Sequence, residues 1–492
     1  MAAWDRRTPK QLATAREAAV KAQVVDAVGP FSPFWRERLA SLGRTPAQVG
    51  TVAGLTALPA VGERDVCPDG DPAGAGALVL QVTERGWALH ADGPTLRKAL
   101  VRRTLARRSY AALVEDDTRP TSYVPAGLGV RYPLASTRGD LDLVARAGAR
   151  LWQVLGLTRA DVLVAALAPM SSAAAQALQY AALGAGSPAL LAGPDAGPVA
   201  DALRLLPATV LALPVERAVE LVEDLDDAGA ELSGVRTVLL VGAPTDTQRA
   251  DLAGLLAELG LGAAEVLAAH TPDGHRVLWG ECRESAGRTG LHTYPDLDLV
   301  ELVDPETGEP VGKRDGGEVV LSQLGWRGSA LLRWRTGDLA AAVDETPCPA
   351  CGRTVPRVLG ARRAALVPVL RRSDGPGAVD LRAVDLRGVD LRGVDLRAVD
   401  LRGVTGALAG RADLRDWRVV VGPSRRRGTD ELLVYVVAAT GTDEAEVGVG
   451  VALDVRAACG LLPTQVLVVA PGQLPTGPAG PCRRVLGRPA AG

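Results

Sequence analysis

Lysine is scarce in this sequence. Only Lys10, Lys21, Lys98 and Lys313 occur among 55 basic residues. A reaction that needs a lysine ammonium at a particular place has few residues to draw on. An excess of one charge is also missing. The formal net charge is −2, so no global charge calls for nucleic acid or an anionic membrane as partner. No uncharged apolar run reaches the roughly 18 residues of a membrane span. Runs such as VLVAALAPM at 162–170 have the length of buried strands. The opening residues MAAWDRRTPKQLATAREAAVKAQ lack the apolar centre of a secretion signal. Six cysteines in 492 residues are too few for a disulfide framework. The expectation is a cytoplasmic chain with neither a membrane nor a nucleic-acid partner.

The composition that remains is globular, with 47% hydrophobic and 23% charged residues. At roughly 100–200 residues per domain the length allows two to four domains. Residues 8–28 and 31–43 read as helices, Leu78 to Val82 as a strand, and Leu96 to Val114 as a basic helix with a solvated face. From about residue 140 the pattern becomes regular. Helical stretches at 140–157, 171–186, 199–206, 215–229 and 246–260 alternate with strand-like runs at 161–167, 188–193, 209–214, 235–242 and 264–269. Such alternation predicts parallel βαβ units. After residue 290 the runs 297–304, 317–324 and 329–335 predict a smaller antiparallel part, with PETGEP as a hairpin turn.

Residues 359–404 break this pattern. VDLR followed by Ala or Gly repeats five times from Val379 to Gly403. A period of five suits neither an amphipathic helix nor a half-buried strand. It matches pentapeptide-repeat solenoids in form, yet so few repeats make barely more than one coil. A duplicated, solvated linker is the expectation, with a binding or solenoid role as the alternative. WRVVVG, ELLVYVVAA, a helix near 450–460 and TQVLVVA then predict a small α+β domain. The expected organisation is a large domain over 1–358, a linker over 359–404 and a small domain over 405–492.

Two motifs carry chemistry. Cys348 and Cys351 form C-x-x-C within PCPACGR. Two thiolates on a tight turn can grip one side of a tetrahedral zinc ion, which favours sulfur and nitrogen ligands. Cys282 and His292 are the other ligand candidates; nine residues separate them, and 55 separate His292 from Cys348. A metal-free turn is the alternative, and a redox pair would need a thioredoxin-like βαβ setting that is missing. The second motif, RWRTGDL at 333–339, reads as a strand ending in a Thr-Gly-Asp turn. A carboxylate there can accept hydrogen bonds from ribose hydroxyls, although most such triplets are plain turns. His270 and His275 read as surface histidines; Cys67, Cys459 and Cys482 read as ordinary thiols.

The blocks GLH, PDLDLVELVDPETGEPV, GEVVLSQL, ALLRWRTGDL and CPACGRTVPR, in this order and spacing, resemble the phenylacetate–CoA ligase branch of the adenylate-forming superfamily. FSPFWRERLASLG followed by LTALPAVGERDV is similar to the same family's first segment. The resemblance implies a large α/β domain with mixed and parallel sheets and a β-rich subdomain, followed by a small mobile α+β domain. It implies activation of a small carboxylic acid by ATP and magnesium and transfer of the acyl group to coenzyme A. It places Asp338 at the ribose, with Arg335 in the same motif, and Gly242, Ala243 and Pro244 beside adenine. It also places Cys282, His292, Cys348 and Cys351 at a structural zinc site.

Three places depart from the family pattern. The Ser/Thr/Gly-rich phosphate loop is replaced by TSYVPAGLGVRYPLAST at 121–137, which keeps Thr121 and Ser122 but not the Gly-Thr-Thr-Gly core. Asp273 stands in place of the magnesium-binding Glu, with no aromatic beside it for adenine. Pro481 stands where the catalytic lysine is expected, and neighbouring Arg483 and Arg484 are planar forks, not point charges. These motifs serve one charge-developing step. Three functions follow: a divergent acid–CoA ligase; a family member that binds nucleotide, acyl-CoA or protein without activating an acid; or an acyltransferase that starts from a ready-made acyl thioester.

Overall fold

A computed structural model describes residues 4–363, residues 404–474 and the strand Val485–Gly487, apart from short stretches, the longest between 84 and 117. The chain divides into two compact units, Met1–Arg363 and Ala364–Gly492. The repeat segment 379–403, the basic helix and Pro481 lie wholly or largely outside the described residues.

The first unit opens with helices α1 (Pro9–Gln23) and α2 (Pro33–Ser41). Thr8 and Gln11 form a capping box at the first, and the Ser32 hydroxyl caps the second. Leu78 to Val82 is not a strand. Residues Pro72–Leu78 form a 3₁₀ turn, and Val79 makes only a single bridge to Ser329. Gly74 and Gly76 in PAGAGAL favour a tight turn over extended pairing.

On either side of residues 128–131, which lie outside the described residues, two strands pair as the arms of a hairpin. Strands β1 (Pro120–Ala126) and β2 (Tyr132–Thr137) pair antiparallel from Pro120↔Thr137 to Ala126↔Tyr132. The alternating region then builds a nine-stranded sheet. Strands β3 (Leu163–Ala165), β4 (Ala189–Leu191), β5 (Val210–Pro214), β6 (Thr237–Val241) and β7 (Glu265–His270) are parallel, in the order β7-β6-β5-β3-β4. Helix α3 (Arg138–Val154) leads into β3, and helices α4 (Ala173–Ala185), α5 (Ala196–Leu205), α6 (Ala218–Asp227) and α7 (Asp246–Glu258) are the four crossovers. Their apolar residues at helical spacing, such as Leu143, Val144, Ala147 and Leu151 of α3, are buried. The sheet continues antiparallel through β8 (Trp279–Glu281) and β9 (Leu291–His292).

Six strands complete the unit: β10 (Asp298–Val303), β11 (Gly317–Gln323), β12 (Trp334–Ala340), β13 (Ala342–Asp344), β14 (Arg357–Leu359) and β15 (Arg362–Arg363). Four of them form a second sheet in the order β10-β11-β12-β15, while β13 and β14 return to the large sheet beside β9. The strand expected at 329–335 starts late, at Trp334, because Arg333 adopts a left-handed φ of 43°. Thr336-Gly337-Asp338 is not a terminal turn either. It is a bulge inside β12: Glu318 pairs with Leu339 but Val320 with Arg335, and Gly337 has φ 68°.

The second unit contains β16 (Leu414–Pro423), β17 (Asp430–Ala438), helix α8 (Glu444–Cys459), β18 (Gln465–Val468) and β19 (Val485–Gly487), with strand order β18-β17-β16-β19. Val419, Val434, Val436, Val447, Val451 and Val455 form its core with Trp417.

Candidate functional site

Two places gather the chemistry-bearing residues. At the first, Cys282 directly follows β8, β9 carries His292, and the turn before β14 supplies Cys348 and Cys351. Their ligand atoms all lie within 4.8 Å of one another. Cys282 Sγ is 3.9 Å from Cys348 Sγ, and Cys351 Sγ is 3.6 Å from His292 Nε2. Zinc–sulfur bonds of about 2.3 Å and zinc–nitrogen bonds of about 2.05 Å in a tetrahedron put sulfurs about 3.8 Å apart and sulfur about 3.6 Å from nitrogen. The donor set and its spacing therefore fit a closed Cys₃His site. The turn is shaped for this: Cys348 N–H donates to Arg353 O, and Gly352, at φ 69°, donates to Cys348 O.

The protonation states are unequal. Burial, with Arg353 and Arg357 nearby, pushes His292 down to about 3, so its imidazole is neutral and able to bind a metal. Burial pushes the Cys282 thiol up to about 11. At Cys348 burial also opposes ionisation, but hydrogen bonds from the Cys351 backbone, the Thr289 hydroxyl and the Ala350 backbone outweigh it and bring the thiol to about 7. Thr289 is the residue that sequence reasoning missed. Its hydroxyl lies 3.6 Å from Cys282 Sγ and 3.5 Å from Cys348 Sγ.

The second place lies at the C-terminal ends of the parallel strands, where open α/β sheets hold ligands. Val241 ends β6, and Gly242 N–H, at φ 140°, donates to Ala269 O beside the end of β7. Ala243 and Pro244 follow in the turn before α7. His270 ends β7 and is not a surface histidine: it is 3% exposed, and its Nε2 lies 2.7 Å from Asp338 Oδ2. Asp338 is itself buried, and the bulge turns it toward β7. Three residues on, the Asp273 carboxylate accepts the Gly127 N–H of the hairpin at 3.0 Å. Three segments far apart in sequence thus meet: the hairpin, the end of β7 and the bulge of β12.

Other candidates are placed differently. Arg335 pairs with Glu318, its Nε 2.8 Å from Oε2, and also donates to Pro305 O. The Ser122 hydroxyl accepts from Gln176 Nε2 at 2.9 Å, and the Thr121 hydroxyl donates to Ser136 O at 3.4 Å. His275 is fully buried, 3.3 Å from Asp298 Oδ1. The other oxygen of Asp298 receives Trp279 Nε1–H, at 2.8 Å. No sequence signal marked either histidine, since their partners are supplied by other strands.

The fold is that of the adenylate-forming acid–CoA ligases. It superposes on 2-hydroxyisobutyryl-CoA ligase in its postadenylation state over 99% of this chain and 91% of that one, with a TM-score of 0.63 at 16% identity. The thioesterification state of that enzyme, with coenzyme A, matches over 98% and 91% with a TM-score of 0.58, again at 16% identity. In sequence the chain is similar to a phenylacetate-coenzyme A ligase of Thermus thermophilus, 39% identical over 94 residues. That match spans 19% of this chain and only 18% of the relative's length. The family model for pentapeptide repeats matches residues 378–405. Among the described residues no helix is long and apolar enough to cross a membrane.

Proposed function

We propose that this chain is a divergent acid–CoA ligase, with domains over 1–358 and 405–492 joined by the repeat-bearing linker 359–404. The supporting observation is the convergence of Gly127, Asp273, His270 and Asp338 at the strand ends, although these residues come from three distant segments. In this reading Asp338 accepts the ribose hydroxyls of ATP, Gly242 to Pro244 line the adenine, and Asp273 would help hold magnesium, which offsets phosphate charge. The carboxylate of a small organic acid attacks the α-phosphorus, and pyrophosphate leaves. The thiol of coenzyme A then attacks the acyl carbon, and AMP leaves. Cys282, His292, Cys348 and Cys351 would hold a structural zinc that ties β8 and β9 to the turn before β14.

Acid-dependent exchange of pyrophosphate into ATP tests this directly, with a panel beginning at phenylacetate and 2-hydroxyisobutyrate. Exchange that vanishes in Asp338→Ala supports the reading. Absence of exchange across aryl, fatty and hydroxy acids would remove it.

A second reading has its own support. Thr121 and Ser122 are hydrogen-bonded within the hairpin and to α4, and Pro481 occupies the lysine's place in the sequence. Both favour a protein that binds a nucleotide or acyl-CoA without activating an acid. Nucleotide binding without exchange is its signature. Thioester exchange without ATP would indicate the acyltransferase instead.

A further inference from the structure

His270, paired with Asp338, has no part of its own in the chemistry set out above. Its geometry is that of an oriented base: Nε2 meets Oδ2 at 2.7 Å, with side chains 4% and 1% exposed. A buried carboxylate on one ring nitrogen fixes the tautomer, leaves the other nitrogen to accept a proton, and stabilises the imidazolium that results. Among the described residues the His270 side chain makes no hydrogen bond besides this one. It terminates β7 beside Asp273, at the end of the sheet where ligands of such folds sit. One carboxylate can serve a ribose and an imidazole together, since its two oxygens offer about four acceptor sites.

We propose that His270, oriented by Asp338, is the general base for the thiol in the thioester-forming step. This rests on the acid–CoA ligase reading. The Nδ1 atom takes the thiol proton as the sulfur lone pair forms the carbon–sulfur bond at the acyl carbon. The bond from that carbon to the AMP phosphate oxygen breaks, and AMP leaves with the electron pair. Asp338 holds the imidazolium until the proton passes to water. A base placed here also reduces what the step demands of other residues in a chain with so few lysines.

The test separates the half-reactions in full-length, zinc-replete protein. Pyrophosphate exchange is measured with phenylacetate. Thioester formation is measured in single turnovers from synthetic phenylacetyl-adenylate and coenzyme A. In His270→Gln thioester formation should fall by about 100-fold, the usual worth of a positioned base, and at least tenfold more than exchange. In His270→Gly, added imidazoles should restore the rate in order of their basicity. An equal fall in both half-reactions, or rescue indifferent to basicity, would overturn the proposal in favour of a structural pair. A wild type that makes thioester from the adenylate but shows no exchange sinks only the ligase reading. One that makes none from the adenylate sinks both.

Discussion

Cys282 Sγ lies 3.9 Å from Cys348 Sγ, with the Thr289 hydroxyl against both sulfurs. That spacing is far beyond a disulfide bond and close to the edge of a zinc–thiolate tetrahedron. Three buried or half-buried thiols beside a neutral imidazole have little reason to cluster without a cation. The purified protein should contain one zinc per chain, and Cys348→Ser should lose it, as metal analysis reads. Chelation should lower the melting temperature by at least about 5 °C, since binding energy at a structural site is folding energy. Equal melting of metal-free and metal-loaded protein would show that the cluster is only a packed turn.

Asp338 gives a prediction about affinity. Its carboxylate is placed by a bulge that only a glycine at φ 68° allows at Gly337, and His270 holds one oxygen. Asp338→Asn keeps the shape and removes the charge. Charge-assisted hydrogen bonds contribute about 1.5–3 kcal/mol each. Calorimetric titration with AMP should therefore show affinity lowered about tenfold or more. An unchanged affinity would mean the ribose is bound elsewhere.

Much of the fold was legible because the signals are local. Every helix and parallel strand expected between residues 140 and 270 forms, within a few residues, since periodicity reports burial directly. The bulge at Gly337 was not legible. Nothing within RWRTGDL distinguishes a terminal turn from an insertion opposite Glu318 and Val320, which lie 15 or more residues away. The four residues of the Cys/His cluster could be named from their types and spacing, but Thr289 could not, because a threonine has no pattern to read. His270 and Asp338 are 68 residues apart. Their contact depends on how β7 and the second sheet meet, which no local pattern encodes.

Close helix packing yields a stability prediction. A Cβ on Gly148 of α3 would collide with the backbone and Cβ of Ala181 in α4, and one on Gly184 would strike Ala145 O. The two helices approach this closely only because both positions lack side chains. Gly148→Val should destabilise the first unit by about 3 kcal/mol, the upper part of the usual overpacking cost, as read by denaturant unfolding. Gly254 in α7 is the control, with nothing within 4 Å of an added Cβ. There Gly254→Ala should stabilise by roughly 0.5–1 kcal/mol. Equal effects at both positions would refute the packing argument.

Glu301 sets the last prediction, a dependence on pH. Its carboxylate lies beneath Arg333, 3.1 Å from Nη2 and 3.2 Å from Nε. Two effects oppose each other. Burial favours the neutral acid, and the guanidinium favours the carboxylate. Burial is the larger, so the group is raised from 4.5 to about 7. Between those values the folded protein holds a proton that the unfolded chain releases. The group's contribution is complete below about pH 4.5 and is lost as pH rises through 7. A shift of this size corresponds to about 3 kcal/mol at most. Glu301→Gln cannot titrate, so the stability of wild type minus variant should be greater at pH 5 than at pH 8. This comparison isolates the proton, because the variant has no carboxyl to titrate and its remaining effects are the same at every pH. A wild-type advantage that grows toward pH 8 would instead show that Arg333 overcomes burial and holds Glu301 ionised.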